Sequence, residues 1–191
     1  SEAGLPIDIK MREQSQAHEL IEEFMILANI CAAETLETNN KTCVYRVHAK
    51  PDPEKMADLV LLASALDINL PKTPDFTPHQ FNSILEKASD PDDHQLMQNA
   101  ILRCQSRAVY SIDNIGHYGL ALQRYAHFTS PIRRYSDLLI HRAIIKSCKL
   151  GDDGISDENP AEIGALCGYI SATEQTAAKA ERRAIDRLAS L

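Results

Sequence analysis

Apolar residues recur at helical spacing from Glu13 to Glu37, where Ala17, Leu20, Ile21, Phe24, Met25, Leu27, Ala28 and Ala32 predict one long helix. Asn39-Asn40 ends it. Cys43 to His48 alternates in polarity like a short strand. Pro51-Asp52-Pro53 opens a second helix that runs through Ala65. Pro71 to Pro78 holds three prolines and reads as a loop, and Thr77 with Pro78 starts a third helix to about Lys87. Asp90-Pro91 repeats that device for a fourth helix through Arg103. Ala108 to Ile112 and Gly119 to His127 read as strands, paired with each other across Asp113 to Tyr118. Another helix is expected from Pro131 to about Cys148, a surface loop from Gly151 to Pro160, and a last helix from Ala161 to the end. Ser1 to Met11 reads as an extended entry. The expected fold is α+β and helix-rich, with long helices packed on a small, mainly antiparallel sheet whose strands lie near Cys43, Val109 and Leu122. One domain over residues 1–191 is the expectation.

Composition supports a folded chain. Of 191 residues, 44% are hydrophobic, enough for a sizeable core. No apolar run approaches a membrane span, and the N-terminus does not read as a signal peptide. The five cysteines are widely spaced and odd in number, which suits reduced thiols in a cytoplasmic protein. The net charge is −7, but it is unevenly spread. Arg103 to Lys149 carries eight cations against two acids, so that segment is +6 and the remainder −13. A basic island in an acidic body suits a protein that takes a polyanion at one place.

That island contains the most informative stretch, Tyr125-Ala126-His127-Phe128-Thr129-Ser130-Pro131-Ile132-Arg133-Arg134-Tyr135-Ser136-Asp137-Leu138. It reads as a loop turning into a helix, with Ser130 as N-cap and Pro131 at the first helical position. The first N–H groups of such a helix can face an anion, and the guanidinium forks of Arg133 and Arg134 suit phosphate oxygens. Arginines at this end of a helix oppose its dipole, so a bound anion is the better account of them than a solvated helix start. Thr129 and Ser130 could donate hydroxyl hydrogen bonds to phosphate, although Ser130 serves equally well as a simple cap. A base or ribose could stack on Tyr125, on the strand that also carries His127; a core role with its hydroxyl tied is the alternative for that tyrosine. Asp137 lies one turn below Arg133 and can hold its guanidinium, and His141 reads as a structural donor on the same helix.

The same words resemble a family. With Asn114-Ile115-Gly116-His117-Tyr118-Gly119-Leu120-Ala121-Leu122 before it and Ile140-His141-Arg142 after it, the stretch resembles the signature of the RNB (ribonuclease II/ribonuclease R) exoribonucleases, most of all their bacterial ribonuclease R branch. Arg12 to Asn29 resembles that family's long helix, and Thr173-Glu174 with Ala180-Glu181-Arg182-Arg183 its last one. The likeness covers nearly the whole chain and is weakest from Thr73 to Leu96. It implies 3′-to-5′ hydrolysis of RNA, releasing nucleoside 5′-monophosphates. By position Arg133 matches the family's catalytic arginine, and Glu181 a glutamate near the leaving nucleotide. Arg134 is expected on a neighbouring phosphate or on a carboxylate. Glu22 or Glu23 matches a glutamate lining the RNA channel, and the doublet leaves both open.

The resemblance also implies magnesium held by an aspartate cluster, and that cluster is not in this sequence. Asp90, Asp92 and Asp93 imitate it, but a helix cap and a first turn explain them. Asp152-Asp153 sits between glycines without a calcium-loop pattern. No metal ligand is therefore assigned. Cold-shock and S1 domains are not in this sequence either, so the chain reads as the C-terminal half of a catalytic domain. It is expected to be inactive alone and to expose apolar surface open to self-association. The expected partner is the 3′ end of single-stranded RNA, without a membrane. The alternative is a non-catalytic module that binds single-stranded RNA.

Overall fold

A computed structural model describes residues 14–70, 76–155 and 159–189. The expected extended entry at the N-terminus and most of the proline-rich loop lie outside these residues. The order is α1 (Gln16–Thr38), β1 (Tyr45–Val47), α2 (Pro53–Ala65), α3 (Pro78–Lys87), α4 (Pro91–Cys104), β2 (Val109–Ser111), a 3-10 turn (Tyr118–Leu120), α5 (Tyr135–Cys148) and α6 (Pro160–Ala189). β1 and β2 form a two-stranded sheet. The architecture is α+β and helix-rich.

The chain divides into two compact units. One comprises 46–109 and 113–125. Its core gathers Met56, Leu59 and Ala63 of α2, Phe81 and Ile84 of α3, and Met97, Ile101 and Cys104 of α4. The three helices start where the proline and cap residues predict. Asp52 accepts from Glu54 N–H, Thr77 from Gln80 N–H, and Asp90 from Asp92 and Asp93 N–H. Asp90, Asp92 and Asp93 thus form a helix cap and its acidic first turn. Phe76 stacks on Phe81 at 5.6 Å, and the Tyr118 hydroxyl donates to Phe76 O.

The segment from Gly119 to His127 is not a strand partner for β2. After the 3-10 turn, Ala121 adopts a left-handed conformation (φ 54°), and His117 bridges back to Leu122. Local hydrogen bonds replace the ladder: His117 N–H donates to Leu122 O, and Leu122 N–H to His117 O. Gly116 makes the tight approach possible, since at φ 77° a Cβ would lie 3.0 Å from Leu122 O.

The other unit holds α1, α5 and α6, with 110–112 and 126–134 between them. α1 buries Asn29, Ala32, Ala33 and Leu36, α5 buries Leu139 and Ile140, and α6 buries Ile163, Cys167 and Ser171. Small residues in the second half of α1 let α5 approach there. In its first half Leu20, Ile21, Phe24 and Leu27 are each more than half exposed, in line with the expected exposed apolar surface. All five cysteines are free, as expected of reduced thiols. Burial pushes the Cys167 thiol up to about 11 and Cys43 higher still, so neither is a nucleophile at neutral pH.

Candidate functional site

The signature stretch does not enter its helix at Pro131. Residues 130–134 form a single turn in which Arg133 and Arg134 N–H both reach Ser130 O, at 3.3 and 3.1 Å. The chain then becomes extended at Arg134 (φ −126°, ψ 120°), which caps α5 through its backbone. Ser130 is therefore not the N-cap. Its N–H donates to Asp137 Oδ1 at 2.8 Å, and that contact across seven residues fixes the turn. The anion at this helix mouth is the chain's own carboxylate.

Asp137 is fully buried. Arg134 grips it with Nε at 2.9 Å and Nη2 at 2.8 Å, and the Ser136 hydroxyl adds a third side-chain donor atom at 3.1 Å. Burial pushes the Asp137 carboxyl up, but the Arg134 and Ser130 donors outweigh burial and hold it below its usual value. The expectation that Asp137 holds Arg133 is thus corrected: its partner is Arg134. A bidentate fork fits a carboxylate three residues on, whereas Arg133 points to solvent. Among the described residues none pairs with the Arg133 guanidinium.

Phe128 is held from two sides. Its N–H donates to Oδ1 of the buried Asn29 at 2.8 Å. His141 Nε2 donates to its carbonyl at 2.8 Å, and the His141 ring stacks on the phenyl ring at 4.1 Å. His141 is accordingly a structural donor. His127 Nδ1 lies 2.9 Å from the Tyr110 hydroxyl, and Tyr110 N–H donates to Ser171 Oγ at 3.0 Å, tying 110–112 to α6. Thr129 Oγ1 is buried without a hydrogen-bond partner. Tyr125 belongs to the other unit, where it is buried with its ring edge-on to His117 at 5.5 Å. With its ring covered, it offers no stacking surface, and the core reading applies.

One open cavity of about 1030 Å³ brings the main candidates together. Arg133, Arg134 and Tyr135 line one side, with Tyr110. Successive turns of α6 line the other, from Leu166 and Tyr169 through Thr173 and Glu174 to Ala177 and Glu181. Arg133 and Glu181, 48 positions apart in the sequence, therefore line the same cavity. Asp137 removes the charge of Arg134 from this balance, which leaves Arg133 as the free cation of the cavity among the described residues. Glu181 has no ion-pair partner among the described residues. A guanidinium can take phosphate oxygens there, and a carboxylate can accept from ribose hydroxyls. Glu22 and Glu23 are exposed on α1 and do not line the cavity, and Gln14 Nε2 donates to Glu22 at 3.0 Å.

Sequence reasoning missed Asn29, Tyr110, Tyr169 and Glu174. Asn29 had a signal: an amide among the apolar residues of α1 needs a partner when buried. Glu174 had one as well, in the Thr173-Glu174 likeness; Tyr110 and Tyr169 had none, because only tertiary packing brings β2 and α6 to the cavity of Arg133.

The cavity's carboxylates, Glu174 and Glu181, sit opposite arginines. No group of three or more His, Cys, Asp or Glu side chains able to hold a metal occurs among the described residues. The residues here do not fit a magnesium site by themselves, and no step is derived through one.

An RNB domain model matches residues 1–149. The chain belongs to the RNB family. An RNB-family relative, ribonuclease R of Aquifex aeolicus, is 39% identical over 187 residues, which are 98% of this chain and 26% of the relative. Apo Mycoplasma genitalium RNase R superposes with a TM-score of 0.87 at 30% identity, over 100% of this chain and 30% of that one. The same enzyme in complex with ribose-methylated single-stranded RNA gives a TM-score of 0.84 at 30% identity, over 99% and 30%. The chain thus spans between a quarter and a third of the length of these RNB relatives. No described helix is long and apolar enough to cross a membrane.

Proposed function

We propose that the cavity between Arg133 and Glu181 receives the 3′ end of single-stranded RNA, and that the parent activity is 3′-to-5′ hydrolytic exoribonuclease action releasing nucleoside 5′-monophosphates. The observation carrying this reading is that Arg133 and Glu181, the two positions matched to the family's arginine and glutamate, line one cavity. RNB membership and the likeness to an RNase R solved with RNA support it.

In this reading Arg133 binds the scissile phosphate and stabilises negative charge that grows on its oxygens. Arg134 and Asp137 lock the turn that carries Arg133, so the guanidinium is placed before RNA arrives. Glu181 accepts hydrogen bonds from ribose hydroxyls of the terminal nucleotide, which positions its 5′ phosphate for attack while the 3′ oxygen of the preceding nucleotide leaves. Magnesium, when bound in a complete enzyme of this family, would supply the activated water. Its ligands are proposed to be aspartates other than those of this sequence. The isolated chain then binds RNA without cleaving it, in the cytoplasm.

The test is incubation of the purified chain with end-labelled oligo(A) and magnesium. Retention of intact oligonucleotide is expected. Progressive shortening would contradict inactivity, and an absence of binding would contradict the assigned cavity. The alternative, a binding module without any catalytic parent, predicts the same binding but no hydrolysis when the gene's complete product is assayed.

A further inference from the structure

We infer that Tyr169 is a stacking platform for a base of the bound RNA upstream of the terminal nucleotide. The inference rests on the reading of the cavity just given and extends it to a residue that no resemblance singled out.

Tyr169 lies on the cavity-lining side of α6 and is 68% exposed. No hydrogen bond, ring contact or ion pair engages its side chain among the described residues. Leaving so large a ring in water forgoes its burial, and an aromatic face beside a polyanion site is what sequence-tolerant single-strand binding uses. The other tyrosines of the cavity are placed differently. Tyr110 is 5% exposed and its hydroxyl is engaged with His127. Tyr135 is half exposed too, but it opens α5 on the arginine side of the cavity and not on the α6 wall that carries Glu181.

Position along α6 gives the register. Tyr169 precedes Glu181 by twelve residues, a rise of about 18 Å in an α-helix. That exceeds the reach of one nucleotide, so a ribose at Glu181 and a base on Tyr169 belong to different nucleotides. Between them Thr173, Ala177 and Ala178 present short side chains, with Glu174 and Ile170 the longer ones of that stretch, and leave room for the strand. The Thr173 hydroxyl is turned back onto the Tyr169 and Ile170 carbonyls, at 3.1 and 2.9 Å, and does not compete for RNA. Arg133 reads phosphate, Glu181 reads sugar, and Tyr169 supplies affinity that depends on there being a base.

The test compares binding of oligo(A) with binding of a ribose-phosphate oligomer of equal length without bases, for the unsubstituted chain and for Tyr169→Ala, Tyr169→Phe and Arg133→Ala. Loss of a base–aromatic stack corresponds to weakening of about 5- to 150-fold. That weakening is expected for Tyr169→Ala on oligo(A) and not on the abasic oligomer, while Tyr169→Phe retains affinity. Arg133→Ala should weaken both oligomers alike, which tests the underlying reading separately. Equal effects of Tyr169→Ala on the two oligomers, or none on oligo(A), would overturn the stack while leaving the Arg133 result standing. No binding of either oligomer by the unsubstituted chain would overturn both. With its ring exposed, Tyr169 can be replaced without opening the core, and thermal melting of each variant verifies that.

Discussion

Arg134 and Asp137 form a two-toothed ion pair, with Nε 2.9 Å from Oδ2 and Nη2 2.8 Å from Oδ1. The pair explains why two adjacent arginines have different duties. Arg134 secures the turn and Arg133 is left for a ligand. Breaking a buried pair leaves one charge uncompensated and costs about 3 to 5 kcal/mol. Arg134 retains some exposure, which places Asp137→Ala near the lower end. Urea unfolding should show that loss for Asp137→Ala and almost none for Arg133→Ala. Equal stability of the Asp137 variant and the unsubstituted chain would remove the pair from the account. The pair's pH dependence has a fixed sign. A carboxyl held below its usual value contributes stability above that value and loses it as pH falls through the lowered one.

Asn29 reaches Phe128 across 99 positions. Asn29→Ala leaves the Phe128 N–H without its acceptor, at a cost of about 1 to 3 kcal/mol. The loop before Ser130 should loosen as well. Hydrogen exchange at Phe128 and Thr129 is expected to accelerate more than exchange in α6. Uniform acceleration would mean that Asn29 serves general stability and not this loop.

His117 titrates low. Burial, then the neighbouring His48 and Arg46, push its pKa down from 6.5 to about 4. Its Nδ1 accepts from Leu120 N–H at 3.2 Å, which requires the neutral ring. The unfolded chain therefore binds a proton that the folded chain refuses between those pH values. Stability is complete above pH 6.5 and falls as pH drops toward 4. His117→Asn keeps an acceptor near the same place and does not titrate, so its melting temperature should vary less over that window. A parallel decline in both proteins would assign the acid sensitivity to other groups.

Much of the helical fold was legible because its signals are local. Asp52, Thr77 and Asp90 each precede a proline and bond within three residues, so α2, α3 and α4 begin where sequence reasoning places them. The start of α5 was not legible. Ser130-Pro131 is a good local cap and first turn, but the buried Asp137 carboxylate takes the Ser130 N–H and displaces the start to Tyr135. The Gly119–His127 strand failed for a similar reason: alternation is present, yet the 3-10 turn and the His117–Leu122 contacts use the hydrogen bonds a ladder would need. Arg133 and Glu181 were legible as words of a signature. Tyr169 was not, since an exposed tyrosine on a helix carries no signal until α6 is seen beside Arg133.

The central claim is that Arg133 holds an RNA phosphate in the cavity it shares with Glu181. The most direct measurement is the affinity of the chain for oligo(A) as a function of salt, with and without Arg133→Ala. Each phosphate neutralised on a single strand contributes about 0.7 to the slope of log affinity against log salt. Arg133→Ala is expected to weaken binding and to reduce that slope by about 0.7, with folding unchanged. An unchanged slope and affinity would contradict it.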